Sequence, residues 1–482
     1  MLPDRDHCYR ALRTRDGRFD GRFFVGVKTT GIYCRPVCPA RTPLARNCTF
    51  FPSAAAAEAG GFRPCLRCRP ELAPGYATVD ANRRLAQAAA GLIEDGRLED
   101  ASLAGLARDL GVTDRHLRRV FQQEFGVQPV AYAQTQRLLL AKRLLTDTSM
   151  PVLDVAMASG FASLRRFNDL FRTRYRMAPG ELRKAAPAHH PADCLSFDLA
   201  FRPPYDWPAM LAFLRRRAIA GVEAVDGHRY RRSVRIARAG RILEGWMEVA
   251  LSPRKSALRV TASTSLAGAI PVLLGRVKSF LDLGCRPDEI AAALGPLAVN
   301  PGIRLPGAMD GFEMGVRAIL GQQVTVAAAG TLASRFARAF GDPFQAPFDG
   351  VERLFPAAPR VAAVAAADVA RLGVIRTRAE AIVGLARAID AGALRLEPSV
   401  PASEALAGLA RIPGIGPWTA QYVVMRALAW PDAFPHPDAA LLKAMREPVP
   451  RRALERAEAW RPWRSYAAMH LWNAPATAPE RK

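Results

Sequence analysis

Four cysteines in two closely spaced pairs constrain the first part of this 482-residue chain more than any other feature. Cys34 and Cys38 are separated by three residues, and Cys65 and Cys68 by two. Such pairs are typical of a tetrahedral zinc site, because each pair can bind one metal ion from a single turn. Packing cysteines or two disulfides are the alternatives, but six of the eight cysteines precede residue 69, which argues against a chain-wide disulfide framework. We therefore predict one Zn²⁺ ion with four cysteine ligands.

The formal net charge of +24 indicates a polyanionic partner, most simply nucleic acid. The sequence contains no apolar stretch long enough to span a bilayer, and no basic amphipathic anchor at either end. The N-terminus also lacks the apolar segment of a signal peptide. We therefore expect no membrane partner and a cytoplasmic protein. The length predicts three or four domains.

Two segments about fifty residues apart, 103–121 and 152–171, share one plan. Each has an apolar helix, a glycine that can end it at positive φ, a capping residue and a second helix rich in arginine. This repeat predicts two helix-turn-helix units, whose second helices can enter the major groove. Two ordinary helical hairpins with solvated arginines are the alternative. The exposed candidates for phosphate or base contacts are Arg115, Arg118, Arg119, Arg165, Arg166 and Asn168.

The second half of the chain begins with strand-like patterns and continues with helical ones. Apolar residues alternate from Leu195, and further strand-like runs surround 234–236, 246–251 and 258–262. Within the helical part, Gly414 and Gly416 form a tight turn that can direct backbone N–H groups at a phosphate. Asp438 follows two prolines and precedes a helical pattern, so it is an N-cap candidate, a role compatible with catalysis.

Residues 29–41 and 61–68 resemble the N-terminal domain of the Ada methylation-response proteins. The resemblance implies that Cys34 accepts a methyl group irreversibly and stoichiometrically from a DNA methylphosphotriester, and that Thr30, Arg41 and Arg63 flank the DNA backbone. A methylated Cys34 is a neutral thioether, so the site would lose one negative charge and DNA affinity should rise. The Pro-Cys-His-Arg motif of a second Ada methyltransferase domain does not occur in the sequence, so transfer from O6-alkylguanine is not expected.

Residues 80–183 resemble the AraC-type regulator domain, with 171–183 matching the ending of that family. Residues 194–475 resemble the AlkA-type 3-methyladenine DNA glycosylases of the helix-hairpin-helix superfamily. This second resemblance rests on 304–307, 315–324, the glycine hairpin, Asp438 and 460–472. It implies Asp438 as the catalytic residue, Trp418, Tyr422 and Trp472 as a base pocket, and a monovalent cation at the hairpin. It also places Gln323 near the loop that wedges into duplex DNA.

The pocket chemistry agrees with that resemblance. A flipped alkylated purine is cationic and stacks well on electron-rich indole and phenol faces. Such a base leaves without a general acid, so one carboxylate can stabilise the sugar cation and direct water. Bifunctional relatives carry a lysine where Trp418 stands, which implies that this chain is a monofunctional hydrolase leaving an abasic site.

We therefore predict a multidomain, mainly α protein with α+β parts. The expected domains are a small zinc-binding α/β module (1–75), an all-α double helix-turn-helix (80–183), a small α+β antiparallel-sheet domain (194–282) and an all-α helix-hairpin-helix glycosylase domain (283–475). The predicted function is an alkylation response that joins a methylphosphotriester-sensing regulator to an alkylated-base glycosylase. Its partners would be alkylated duplex DNA, promoter DNA and RNA polymerase, and the resemblances imply a bacterial protein associated with the nucleoid. Two alternatives are a regulator whose glycosylase half only binds DNA, and a repair enzyme without a regulatory role.

Overall fold

The computed structural model describes residues 4–73, 81–94, 98, 102–148, 150–184, 194–238, 241–253 and 256–473. These residues form two compact units. The first contains Met1–Pro203, Val234–Lys278 and Leu283–Cys285, and the second contains Pro204–Ser233, Ser279–Asp282 and Arg286–Lys482. The sequence also predicts a linker at 184–191 and a polar tail at 474–482, and apart from Lys184 both segments lie outside the described residues.

The first unit begins with a small α/β module, which confirms that part of the fold prediction. Its strands are β1 (Phe24–Val27), β2 (Ile32–Cys34), β3 (Cys48–Phe51) and β4 (Arg63–Pro64), in the sheet order β3-β1-β2-β4. β1 runs antiparallel to β2 and β3, whereas β2 and β4 are parallel. Helices α1 (Arg5–Thr14) and α2 (Ala54–Ala59) accompany the sheet. Burial of Cys8, Leu12 and Phe23 in one apolar cluster joins α1 to the strands.

The helical segment of the first unit contains both predicted helix-turn-helix units. Its helices are α3 (Ala81–Glu94), α4 (Leu103–Asp109), α5 (Asp114–Phe125), α6 (Pro129–Asp147), α7 (Val152–Ala158), α8 (Leu164–Tyr175) and α9 (Pro179–Lys184). Gly111 and Gly160 follow α4 and α7 at φ +68° and +80°, a conformation that favours glycine. The hydroxyls of Thr113 and Ser163 then cap α5 and α8 by accepting backbone N–H bonds.

A second sheet consists of β5 (Cys194–Ala200), β6 (Glu223–Asp226), β7 (Arg229–Arg238), β8 (Arg241–Leu251) and β9 (Ala257–Ser263). The strand order is β5-β9-β8-β7-β6. β5 pairs antiparallel with β9 along its whole length, from Cys194 opposite Ser263 to Ala200 opposite Ala257. The alternation from Leu195 therefore predicted β5 correctly. The short strand β6 and the helix α10 (Trp207–Arg217) were not predicted, although Trp207, Met210, Leu211 and Leu214 follow the apolar spacing of a helix.

The remaining helices confirm the helix-rich prediction for the rest of the chain. They are α11 (Ile270–Phe280), α12 (Pro287–Leu294), α13 (Gly311–Leu320), α14 (Val326–Phe340), α15 (Ala358–Ala362), α16 (Ala366–Ala370), α17 (Arg376–Asp390), α18 (Ala402–Ala410), α19 (Pro417–Ala427), α20 (Ala439–Ala444), α21 (Pro450–Ala457) and α22 (Arg464–Asn473). In the second unit, Val316 of α13, Ile382 of α17 and Val423 of α19 share one buried core. This core fixes α19, which carries two of the predicted pocket aromatics. No helix of the described ranges is long and apolar enough to cross a membrane.

Candidate metal centre and base-binding pocket

The structure brings the four predicted cysteines together. One sulfur atom from each of Cys34, Cys38, Cys65 and Cys68 lies within 4.8 Å of the others. Cys34 is the last residue of β2, and Cys65 directly follows β4. Because these two strands are parallel neighbours, both cysteine pairs lie at the same end of the strands. Four sulfur ligands at this spacing fit one tetrahedral zinc ion, which would keep the thiols deprotonated. The predicted zinc site is thus supported by the geometry.

The four sulfur atoms differ in their exposure. Cys38, Cys65 and Cys68 are buried, whereas Cys34 is only partly buried. Hydrogen bonds with Cys38 and Cys65 raise the pKa of Cys34, because four sulfur atoms so close together do not all ionise without a bound cation. Cys34 is therefore the ligand most accessible to a reactant from solution.

Arg35 is a buried residue that forms hydrogen bonds with the cysteine cluster. Its backbone N–H donates to Sγ of Cys68 at 3.3 Å, and its Nη1 donates to the carbonyl oxygen of Cys68 at 3.1 Å. Its Nε donates to the carboxylate of Asp20 at 2.8 Å, and both side chains are buried. A buried arginine needs such a partner, since an unpaired charge in the interior is costly. The Asp20–Arg35 pair orients the loop that carries the first two cysteines, as outer-shell groups do at metal sites.

The residues predicted to flank the DNA backbone lie on the surface of the same module. Thr30 is exposed in the turn between β1 and β2, and Arg41 is exposed three residues after Cys38. Arg63 is partly buried in β4, in register with Ile32, two residues before Cys34. Arg63 therefore lies in a strand next to the cysteine cluster, and Thr30 lies in the turn that precedes β2.

The candidate DNA-contacting residues occupy the second helix of each helix-turn-helix. Arg115, Arg118 and Arg119 of α5 are exposed, as are Arg165 and Arg166 of α8. Asn168 is partly buried rather than exposed, because it neighbours the buried Phe167 on the inner side of α8. The guanidinium of Arg118 also pairs with Asp114 at 3.1 Å, one helical turn earlier. The remaining arginines present an outward basic face on both helices.

In the second unit, the predicted catalytic carboxylate is surrounded by the predicted aromatics. Nε1 of Trp418 donates to Oδ2 of Asp438 at 3.0 Å, and Nε1 of Trp472 donates to Oδ1 at 3.0 Å. The rings of Trp418 and Tyr422 stack with centroids 5.2 Å apart, and Trp472 meets Tyr422 edge-on at 6.2 Å. All four side chains are partly buried, which leaves the cluster open to solvent on one side.

Local structure and a tertiary ion pair place these groups. Asp438 caps α20, since its Oδ1 also accepts the backbone N–H of Leu441 at 2.9 Å, which confirms the N-cap prediction. Trp472 stands near the end of α22. The start of α22 is held by Arg464, whose Nε donates to the buried carboxylate of Asp432 at 2.7 Å. The segment from Asp432 to Asp438 is thus linked to α22 at both of its ends, by Asp432 with Arg464 and by Asp438 with Trp472.

The glycine hairpin precedes α19 as predicted. Gly414 has φ +87°, and a Cβ at this position would lie 3.1 Å from Cβ of Ala381, so both backbone conformation and space favour glycine. Nε2 of Gln322 donates to the carbonyl oxygen of Gly414 and to Oγ1 of Thr419, both at 2.9 Å. The next residue, Gln323, is exposed and has φ +51°. The loop after α13 is therefore fixed to the hairpin while Gln323 projects from it.

Several residues of these sites were missed by the sequence reasoning. Gln322 and Arg464 lie within the segments 315–324 and 460–472 that carry the resemblance, but they were given no role, because they and Asp432 act through partners distant in sequence. Arg426 is different, because its Nη1 donates to the hydroxyl of Tyr422 at 2.7 Å from one turn later on α19. That spacing of four residues on one helix face was a signal that could have been used.

Family profiles match four consecutive parts of the chain. A profile described as the metal binding domain of Ada matches residues 7–71, and one described as a helix-turn-helix domain matches 106–185. The AlkA N-terminal domain matches 196–310, and the HhH-GPD superfamily of base excision DNA repair proteins matches 316–454.

Relatives reproduce this arrangement in whole and in part. A probable bifunctional transcriptional activator/DNA repair enzyme AlkA of Mycobacterium tuberculosis is 38% identical over 489 residues, covering 98% of this chain and 97% of that protein. DNA-3-methyladenine glycosylase 2 of Escherichia coli is 36% identical, covering 59% of this chain and 99% of that protein. The bifunctional transcriptional activator/DNA repair enzyme Ada of Escherichia coli is 38% identical, covering 29% of this chain and 37% of that protein. The chain thus belongs to the family of Ada–AlkA proteins, in which an Ada-type metal-binding and helix-turn-helix region is joined to an AlkA-type DNA glycosylase region.

Proposed function

We propose that the second unit hydrolyses the N-glycosidic bond of alkylated bases such as 3-methyladenine in duplex DNA, with Asp438 as the catalytic residue. The observation that carries this proposal is the carboxylate of Asp438 held by two indole N–H groups inside an aromatic cluster. A carboxylate offers about four acceptor positions. Trp418, Trp472 and the backbone of Leu441 use three of them, so one remains for the sugar or for a water molecule.

The chemistry follows from these contacts. A flipped alkylated purine carries a positive charge that the faces of Tyr422 and the two tryptophans attract. When the base leaves, the positive charge moves to the sugar, where the fixed carboxylate of Asp438 stabilises it and orients the attacking water. Position 418 carries an indole without an amine, so it cannot form a Schiff base with the sugar. We therefore assign a monofunctional hydrolase whose product is an abasic site.

The hairpin and the loop after α13 would hold the duplex. Gly416 precedes α19, and a Cβ at this position would meet no atom within 4 Å, so a phosphate can approach the N–H groups at the start of this eleven-residue helix. The exposed Gln323 would enter the space of the flipped nucleotide. An amide differs from the apolar wedges that are common in base-step insertion, because it can also donate to the orphaned base. The monovalent cation expected at the hairpin stays a prediction, with the hairpin carbonyl groups as its candidate ligands.

The first unit would act as a methyl acceptor. Cys34, Cys38, Cys65 and Cys68 would hold zinc, and the partly exposed Cys34 would attack the methyl carbon of a DNA methylphosphotriester. A sulfur–carbon bond forms, the carbon–oxygen bond breaks, and the electron pair remains on the phosphate oxygen, which leaves an ordinary phosphodiester. Cys34 becomes a stable thioether, so each chain reacts once.

Methyl transfer would regulate DNA binding by the helix-turn-helix pair. Loss of one negative charge at the cysteine cluster reduces repulsion from the DNA backbone, and the exposed arginines of α5 and α8 supply the attraction. Promoter DNA and RNA polymerase are the partners that we propose for this activity.

Release of the damaged base tests the glycosylase assignment. We expect D438N to lower single-turnover release of 3-methyladenine from methylated duplex DNA at least about 100-fold, in line with the loss of a preorganised electrostatic group. Asparagine is also a good N-cap, so α20 should stay folded. The matched control is D349N, at an exposed position, which should release base at the wild-type rate. Undiminished release by D438N would disprove the assignment.

A further inference from the structure

A buried positive charge lies directly behind the aromatic pocket. Arg426 is 6% exposed, and its Nη1 donates to the hydroxyl of Tyr422 at 2.7 Å. Its other donors reach the carbonyl oxygens of Pro306 and Gly307. Its guanidinium also lies 5.5 Å from the centroid of the Tyr422 ring. Arg426 therefore binds the pocket tyrosine and two backbone carbonyl groups, and all of these acceptors are neutral.

A second guanidinium stands beside the first. Arg217 and Arg426 face the ring of Phe213, at 3.9 Å and 4.9 Å from its centroid. Burial raises the pKa of the Tyr422 hydroxyl, but the two arginines more than offset this effect, so that the pKa lies below its usual value. Both guanidinium groups thus act on the same hydroxyl.

Neither charge has a carboxylate partner in the described part of the chain. The contacts of Arg426 all end on carbonyl, hydroxyl or ring atoms, and Nη1 of Arg217 is buried without a hydrogen-bond acceptor. The neighbouring buried carboxylates Glu223 and Glu313 are already paired with Arg232 and Arg317. Since an arginine stays protonated in proteins, a positive charge persists at this end of the pocket.

We propose that Arg426, assisted by Arg217, places a positive charge at the base end of the pocket that opposes the positive charge of a bound alkylated purine. This proposal rests on the glycosylase function proposed above. Arg426 acts through Tyr422 and is thus a positioning residue, whereas Asp438 is bound by the indole N–H groups of Trp418 and Trp472 in the same aromatic cluster. The positive charge of Arg426 and the negative charge of Asp438 would together favour movement of the positive charge from the base to the sugar.

The direction of the effect follows from Coulomb's law in a partly buried site. A cationic base is destabilised beside two guanidinium groups while it is bound, but the transition state, in which its charge has moved toward Asp438, is destabilised less. Removing the guanidinium should therefore strengthen binding of the cationic base and lower the rate of its release. An interaction that only keeps the fold intact would not produce this opposed pair of changes.

Binding without cleavage gives the clearest test. In a D438N background, the ratio of affinities for a duplex with one 7-methylguanine and for the same duplex with guanine is measured by fluorescence anisotropy. We expect R426Q to raise this preference for the cationic base about tenfold, a change of about 1.4 kcal/mol. R426K keeps the charge and should match the parent. R217Q, at a less buried position that binds no carbonyl through its guanidinium, should shift the preference in the same direction if R426Q fails to fold.

A control variant and the outcomes that would overturn the proposal complete this test. R451Q removes an exposed arginine paired with Glu455 and should leave the ratio unchanged. An unchanged or lower preference in folded R426Q, or in R217Q, would overturn the proposal, and so would equal shifts in R426K and R426Q. If protein with Asp438 intact released no alkylated base, the proposed glycosylase function would fail, while the binding ratio would still decide the role of the charge.

Discussion

At the scale of single residues, the two indole N–H groups that grip Asp438 are the most consequential contacts. Each holds one carboxylate oxygen at 3.0 Å. We expect W472F, which keeps an aromatic ring but removes one donor, to lower the single-turnover rate of base release about tenfold or more, because a hydrogen bond to a charged group is worth about 1.5–3 kcal/mol. KM should change little, since the ring face remains. The rate is measured on 3-methyladenine release.

The matched comparison for that variant is W460F. Trp460 packs against Phe434 and makes no hydrogen bond to Asp438 among the described residues. A W472F rate equal to that of W460F would contradict the assigned role. The sequence motifs predicted Asp438 and its aromatic neighbours because they lie in recognisable local patterns. The motifs contain Gln322 and Arg464 but could not predict their contacts, since those residues meet their partners only through tertiary packing.

At the scale of elements, the docking of α2 on α6 within the first unit depends on a buried carboxylate. The hydroxyl of Tyr33 donates to one oxygen of Glu58 and that of Thr135 to the other, each at 3.0 Å. Burial raises the pKa of Glu58 to about 7, although Thr135, Tyr33 and Arg174 oppose it. The all-α expectation for residues 80–183 includes α6. It did not predict this contact, because a glutamate next to an alanine run usually faces solvent.

This raised pKa predicts a pH dependence of stability. The unfolded carboxyl ionises near its usual value of 4.5, whereas the folded one stays protonated until about pH 7. The contribution of Glu58 is therefore fully present at low pH and is lost as pH rises through about 7, by roughly 3 kcal/mol in total. We expect E58Q to be more stable than the wild type near pH 8 and to differ much less from it near pH 5, measured by chemical denaturation of the zinc-loaded protein.

Glu71 supplies a control of opposite sign in the same unit. It pairs with Lys142 at 2.7 Å. Burial raises its pKa, but Lys142 and Arg69 outweigh that effect and lower it to about 2. E71Q should thus lose stability at neutral pH, where E58Q gains it. A wild type and an E58Q variant that differ by the same amount at both pH values would contradict the assigned role of Glu58.

At the scale of the whole molecule, the two proposed reactions belong to different units. The cysteine cluster lies in the first unit, and Asp438 with its aromatic neighbours lies in the second. Cys34 would react once per chain, whereas the glycosylase would turn over. Because neither set of residues contributes to the other site, the reactions should be separable by single substitutions. The overall positive charge of +24 would serve both, since each substrate is part of a polyanion.

Mass spectrometry of protein incubated with methylated duplex DNA tests this separation. We expect one added methyl group on Cys34 in the wild type and equally in D438N, because the carboxylate takes no part in that transfer. C34S should accept no methyl group yet release alkylated bases at the wild-type rate, and C194S, at a partly exposed cysteine outside the cluster, should behave as the wild type in both assays. The zinc content of C34S is measured alongside, because serine is a poorer ligand. Methyl transfer to a different cysteine, or loss of base release in zinc-loaded C34S, would show that the two reactions are not divided between Cys34 and Asp438.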